Sequence, residues 1–269
     1  MRLGLCSWGM EDLPSIDIEA LWRAAQGGRF DAQTSEELPA PSVDDGQTLC
    51  LGLLDRWEAE GEQLGGWKLG LTSGRSRDAF GDGIRPFGFI LASRIHPSGA
   101  VLPRLPGLGV ENELCWVLAE PLAGEAVTGA DARRAVASVA PAFELNQNRL
   151  TGTAAPGLRV ADNLSQWGLV VGAALPLADL VELDTLLEEL TVTLLYDEEL
   201  CERVPARGHI DDHFESLARL ARELARFGRG LAPGEHVITG AYTRHVVERP
   251  GTWRGDFGAT LGEVEITFS

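Results

Sequence analysis

Cysteine is scarce in this chain. Its four copies, Cys6, Cys50, Cys115 and Cys201, stand far apart with no C-x-x-C pair. That excludes a disulfide-stapled scaffold and a thiolate zinc knuckle; without a secretion signal it reads as reduced, cytoplasmic cysteine. Positive charge is also short: 23 Lys and Arg face 40 Asp and Glu, a formal net charge of −17. Nucleic acid and anionic membrane surfaces both call for a basic face, so neither is an expected partner. No apolar run reaches the roughly 18 residues of a membrane-spanning helix. The N-terminus lacks a charged start followed by an apolar core. Three common motifs are missing as well: G-x-x-x-x-G-K-[ST], G-x-G-x-x-G after a strand, and G-x-S-x-G. Their absence removes the usual nucleotide-binding and serine-hydrolase readings.

What remains is an ordinary globular composition, 44% hydrophobic in 269 residues, enough for one large domain or one domain with a small lobe. Ile18, Leu21, Trp22 and Ala25 share a stripe that predicts a helix over 16–25, stopped by Gly27-Gly28. Ser42, with Asp45 three residues on, resembles a capping box and starts a helix carrying Leu49, Leu53, Leu54 and Trp57. Residues 1–64 are therefore expected to form an N-terminal helical lobe, with 1–14 as a loose arm. Strand signals dominate residues 65–269. They fall at 67–71, 110–119, 140–145, 167–172, 190–196 with 201–204 pairing back, 236–239, 245–248 and 263–268. A short helix is predicted over 129–136 and a loop over 146–159. Asp211 or Asp212 opens the best helix, which carries Phe214, Leu217, Leu220, Ala221 and Leu224 and is ended by Gly228. The pattern predicts an α+β protein: a small N-terminal helical lobe plus a largely β region, rolled enough to hide several strands.

One stretch carries the chemistry. In Val110–Ala119, Glu111 and Glu113 share a strand face with Cys115, Val117 and Ala119, and both faces turn apolar farther along. Spacing alone fits two readings: solvated glutamates on a strand not yet buried, or paired carboxylates that a cation must neutralise. Lys68 sits inside the apolar run Trp67–Leu71, where it either lies along the surface or faces a site. His209 and His213 stand four apart but have no third ligand close in sequence, so they read as structural, as do His96, His236 and His245. Cys115 fits a packed strand. Arg75, Arg77 and Arg85 fall in a Gly/Ser/Arg-rich segment, where they either attract anions to the cleft or stand as exposed loop arginines with no specific role.

Taken in order, several stretches resemble the 2-keto-4-pentenoate hydratase / 4-oxalocrotonate decarboxylase branch of the fumarylacetoacetate hydrolase family. They are Gly66-Trp67-Lys68-Leu69-Gly70-Leu71-Thr72-Ser73, Val110-Glu111-Asn112-Glu113-Leu114, Pro141-Ala142-Phe143-Glu144 with Arg149, Val160-Ala161-Asp162-Asn163-Leu164-Ser165, Gly208-His209, Gly234–Gly240 and Gly262–Ser269. The resemblance spans about residues 16–269. It implies a small N-terminal lobe on a mixed β-sandwich roll (1–64 and 65–269), usually in a homo-oligomer. It implies Glu111, Glu113 and Glu144 as ligands of Mg²⁺ or Mn²⁺, Lys68 as the acid/base group and Asp162 as a nearby polar catalytic residue. Leu69, Ser165 and Thr239 would be substrate contacts. The implied reaction is hydration of 2-hydroxy-2,4-dienoates to 4-hydroxy-2-oxo acids through an enolate held at the metal, on a small anionic 2-oxo acid substrate. Decarboxylation of a 4-oxalocrotonate-type diacid is the alternative, and a C–C bond hydrolase or a non-catalytic binding protein comes after it. The hydrolase branch adds a His in its N-terminal region, and here no His precedes His96. An all-oxygen carboxylate set also suits a hard cation better than zinc. Two departures stand out. Pro86, preceded by Arg85, occupies the place where several hydratases carry an acid before Phe-Gly, which leans toward decarboxylation. The segment 244–255, with Arg244, Glu248, Arg249 and Trp253, is longer and more polar than usual, which bears on substrate choice or the subunit contact.

Overall fold

The structure is a computed structural model that describes residues 18–26, 40–150 and 153–269. The expected arm over 1–14 and the Gly27-Gly28 stop lie outside them. Helix α1 (Ile18–Ala25) buries Leu21, Ala24 and Ala25. Helix α2 (Val43–Ala59) starts at the expected cap: the Ser42 hydroxyl accepts from the Asp45 N–H at 3.1 Å and donates to its carboxylate at 2.7 Å. This satisfies one of the backbone donors that a helix start leaves open. Helices α3 (Gly129–Ala135), α4 (Pro156–Ala161), α5 (Leu183–Glu189) and α6 (His213–Ala225) follow, α6 capped by Asp212. One apolar cluster takes in Leu53 and Trp57 of α2 together with Trp67, Trp116, Phe143 and Leu217.

The strands are β1 (Leu64–Leu69), β2 (Phe87–Leu91), β3 (Ile95–Pro97), β4 (Ala100–Leu102), β5 (Leu108–Leu118), β6 (Val136–Gln147) and β7 (Gln166–Val171), then β8 (Leu175–Pro176), β9 (Thr191–Tyr196), β10 (Glu199–Pro205), β11 (His236–Ile238), β12 (Thr243–Val246), β13 (Gly251–Asp256) and β14 (Glu263–Phe268). A mixed sheet runs β2-β1-β11-β5-β6-β7-β3, with β12 also on β5 and β8 on β6. It curls until β2 and β7 touch. Its inner face carries a small apolar cluster, Ile90, Cys115, Ala142, Leu169 and Ile238. The outer face meets a second sheet, β10-β9-β13-β14-β4, while Trp116 on β5 packs its ring 5.2 Å from that of Phe214 on α6. Burial on both faces is why β5 reads as a continuous apolar run after Glu113.

Three expectations shift. The loop over 146–159 is shorter, because Asn146 and Gln147 continue the β6 ladder opposite Gly109 and Leu108, and Pro156 opens α4. The strand expected over 245–248 starts at Thr243, where pairing with Asn112 begins. The segment 244–255 takes in most of β12 and most of β13, the central partner of β9 and β14.

The edge of β5 positions the site. Ile238 of β11 pairs with Cys115, and Thr243 of β12 pairs with Asn112. The two short strands therefore take successive parts of one edge. The break between them, residues 239–242, falls opposite Glu113 and Leu114.

Candidate metal centre

The register of β5 and β6 sets Glu111 directly across from Glu144, and Glu113 across from Ala142. All three glutamates lie on the inner face, with one oxygen from each within 4.8 Å of the others. They are 5%, 3% and 1% exposed. Lys68, on β1, is buried, and its ammonium donates to a Glu144 oxygen. It is the only lysine in the chain. Glu113 accepts from the Gly240 N–H at 2.7 Å, inside the break in the β5 edge. Gly240 holds φ at 146°, and a Cβ there would lie 2.4 Å from the Thr72 hydroxyl, so no other residue fits without a shift.

Burial first, and the Glu144 charge second, push the Glu113 carboxyl well above the usual carboxylate range. Burial also raises Glu144, against the pull of Lys68. Like charges held together out of water disfavour ionisation unless a cation joins them. Arg244 faces Glu111 across the β12–β5 ladder and grips it with two hydrogen bonds, Nε to Oε1 at 2.6 Å and Nη2 to Oε2 at 2.9 Å. Asn146 adds a third donor to Oε1 at 2.6 Å. With every group ionised, three carboxylates against Lys68 and Arg244 leave one net negative charge in a buried place. A divalent cation fits that deficit, and an all-oxygen donor set without His or Cys fits a hard ion. The site opens into a cavity of about 460 Å³ lined also by Leu69, Leu164, Ser165, Arg75 and Arg159.

No protein-family model matches the chain. A 2-keto-4-pentenoate hydratase of Paraburkholderia phymatum is 32% identical over 218 residues, 78% of this chain and 80% of that protein. The chain belongs to that branch of the fumarylacetoacetate hydrolase family. A 4-oxalocrotonate decarboxylase of Pseudomonas putida is 27% identical over 222 residues, 81% of this chain and 83% of that one. A solved 4-oxalocrotonate decarboxylase from Pseudomonas putida, complexed with magnesium and adipate, shares the fold with a TM-score of 0.81. That match covers 96% of this chain and all of the other at 22% identity.

Within this family fold, the residues named from the sequence separate into two groups. Lys68, Glu111, Glu113, Glu144, Leu69 and Ser165 all line the cavity. Asp162 and Thr239 do not line it. Asp162 is fully buried, and Arg149, also fully buried, donates to its side chain at 2.8 Å and to its carbonyl at 2.8 Å. Thr239 is turned away: its hydroxyl meets His213 Nδ1 at 2.8 Å and its carbonyl accepts from Thr72 Oγ1 at 2.6 Å. Both hold backbone that reaches the cavity. Asp162 precedes three left-handed residues, Asn163, Leu164 and Ser165, with φ of 55°, 50° and 63°. Such a run costs energy for non-glycine residues and needs outside support. Asn163 supplies it by bonding both the N–H and the carbonyl of Phe89, at 2.8 and 2.9 Å.

Arg85 is spent elsewhere, on Asp78 at 2.5 Å and Asp211 at 3.0 Å, and does not line the cavity. That removes the ground on which it favoured decarboxylation. His213 is a buried structural residue, bonded on its other nitrogen to the Tyr242 hydroxyl at 2.9 Å. Burial pushes the Cys115 thiol up, away from reactivity. Sequence reasoning missed Arg244 and Asn146 as partners of Glu111. Their signal is the pairing register, and no local pattern carries that.

Proposed function

We propose that the chain is a metal-dependent lyase that hydrates 2-hydroxy-2,4-dienoates to 4-hydroxy-2-oxo acids. The observation that carries this reading is the convergence of Glu111, Glu113 and Glu144 beside the chain's only lysine, at the floor of a cavity. The three carboxylates would hold Mg²⁺ or Mn²⁺, and the magnesium in the solved decarboxylase with this fold is consistent with that. Such an ion supplies Lewis-acid polarisation of a carbonyl oxygen and stabilisation of the negative charge that develops there. Lys68 moves the protons: its ammonium gives one to the far end of the diene and the amine left behind takes one from the substrate's 2-hydroxyl, giving an α,β-unsaturated ketone that adds water at its β-carbon. Glu144 orients the Lys68 amine. Leu69 and Leu164 supply apolar wall, and Ser165 offers a hydroxyl to the substrate. Asp162 and Thr239 act through the backbone they hold.

A second reading, a carboxy-lyase acting on a 2-oxo diacid, is favoured by Arg75 and Arg159. Both line the cavity and are exposed, and among the described residues neither has a carboxylate partner. A guanidinium there suits a remote carboxylate. The test is to offer 2-hydroxypenta-2,4-dienoate and 2-oxohex-3-enedioate separately with Mg²⁺ and follow products by mass. Addition of water to the monoacid is expected. Release of CO₂ from the diacid without that hydration would reverse the order of the two readings, and a fully active Lys68→Met enzyme would defeat both.

A further inference from the structure

Among the described residues, Arg244 is the one site cation bound to a metal-facing carboxylate from the solvent side: its side chain is 60% exposed, whereas that of Lys68 is 10% exposed. The guanidinium fork is planar and permanently charged, and it meets Glu111 with two donors. Glu111 Oε1 already accepts from both Asn146 and Arg244, while Oε2 accepts from Arg244 alone. A carboxylate oxygen takes about two donors. Oε2 therefore keeps one lone pair, and Glu111 can ligate a cation without releasing Arg244. Nη1 of Arg244 has no protein partner among the described residues, and Arg244 lines the cavity.

Charge arithmetic then gives Arg244 a definite effect. Ligating carboxylates are ionised, so the triad with Lys68 and Arg244 sums to −1, and to +1 once a divalent cation is added. Without Arg244 the same sums are −2 and 0. We propose that Arg244 is a charge-setting residue: acting through Glu111, it weakens the hold on the divalent cation and leaves the loaded site net cationic, so that it binds small 2-oxo acid anions more tightly. This rests on the metal reading above. It differs from a merely structural role in sign, since a residue that only fixed Glu111 in place would strengthen metal binding.

The test uses full-length protein and calorimetry. Mn²⁺ is titrated into the metal-free protein and pyruvate, as the 2-oxo acid probe, into the Mn²⁺-loaded protein. Wild type, Arg244→Gln and Arg244→Lys are compared, with melting curves to confirm folding. Coupling between neighbouring sites typically amounts to about 5- to 150-fold, and partial exposure argues for the low end. Arg244→Gln is expected to bind Mn²⁺ about tenfold more tightly and pyruvate about tenfold more weakly. Arg244→Lys, which keeps the charge and loses the fork, should restore most of both. Weaker Mn²⁺ binding in Arg244→Gln, or unchanged pyruvate binding, would overturn the proposal while leaving the metal reading intact. A wild-type protein that takes up no Mn²⁺ would overturn the metal reading, and the role of Arg244 with it.

Discussion

Replacing Arg149 with methionine should cost the protein much of its stability, for a reason that lies beside the cavity and outside it. Arg149 and Asp162 are both fully buried and joined at 2.8 Å. Methionine fills much of the volume but leaves the carboxylate without its cation. It also strips donors from the Asp162 carbonyl, at 2.8 Å, and from the Gln166 carbonyl, at 3.4 and 3.5 Å. Among the described residues, Asp162 Oδ2 has no hydrogen-bond partner even in the intact pair. Breaking a buried pair from one side costs about 3–5 kcal/mol. A chain of this size loses roughly 2 °C of Tm per kcal/mol, so the melting point should fall by about 6–10 °C. Asp162→Asn should cost a similar amount, since it strands the guanidinium instead. The double variant should cost less than the sum of the singles by about 1 kcal/mol or more, because neither charge is then stranded. Calorimetric melts measure the effect, with turnover assayed well below the lowest Tm. An Arg149→Met protein melting within 2 °C of wild type would refute the argument. An Asp162→Asn protein that melts normally but has lost turnover would place Asp162 in the chemistry.

Glu113→Gln removes a charge from the proposed ligand set and should weaken Mn²⁺ binding by about tenfold or more in calorimetry; unchanged affinity would take Glu113 out of the centre. Burial holds the His213 imidazole down to about 4. The unfolded chain takes up that proton near 6.5 and the folded chain only near 4. Stability present above pH 6.5 is therefore lost as pH falls toward 4, by up to about 3 kcal/mol. Urea midpoints for wild type and His213→Gln should diverge across that window, and parallel curves would refute the assignment. A Cβ on Gly157 would lie 2.1 Å from the Pro41 carbonyl oxygen and 2.2 Å from that of Ser42. Gly157→Ala should therefore force α4 off the start of α2 at a cost of about 3 kcal/mol, read as a drop in Tm; a wild-type melt would deny the close approach.

The sequence exposed what is local. Alternation put Glu111 and Glu113 on one face of β5, and the Ser42 and Asp212 caps stand where the side-chain types place them. Residues that act across the fold were harder to read. Arg244 reaches Glu111 over a separation of 133 residues, and only strand register brings them together. Strand β13 hid because Gly251, Arg254, Gly255 and Asp256 break up any alternation. Its strand character comes from pairing on both sides with β9 and β14. Asp162 and Thr239 sit within the matched motifs, yet their side chains point into the protein's own polar contacts. A motif specifies a residue type, and in these two cases the type serves the turn or the backbone next to the cavity. Arg85 reads as a loop cation because its acidic partners, Asp78 and Asp211, gather around it only in the folded chain.

The broken edge of β5 also bears on the order in which the protein is made. Asn146 and Glu111 are 35 residues apart on paired strands, so that contact is available early in synthesis, whereas β1, which carries Lys68, is joined to β5 in the sheet only through β11. Gly240 reaches Glu113 across 127 residues. A chain emerging N-terminus first therefore assembles its acidic cluster before β11 and β12 arrive to close the edge. Waiting adds little to the entropy of closure, which grows slowly with loop length, but it lengthens the interval in which like charges sit together before β11 joins β1 and its Lys68 to the hairpin. A ligand that binds the native arrangement stabilises it by mass action at every stage where that arrangement exists. The proposed cation would then serve nascent chains as well as finished ones, holding the half-built hairpin together until the C-terminal strands dock.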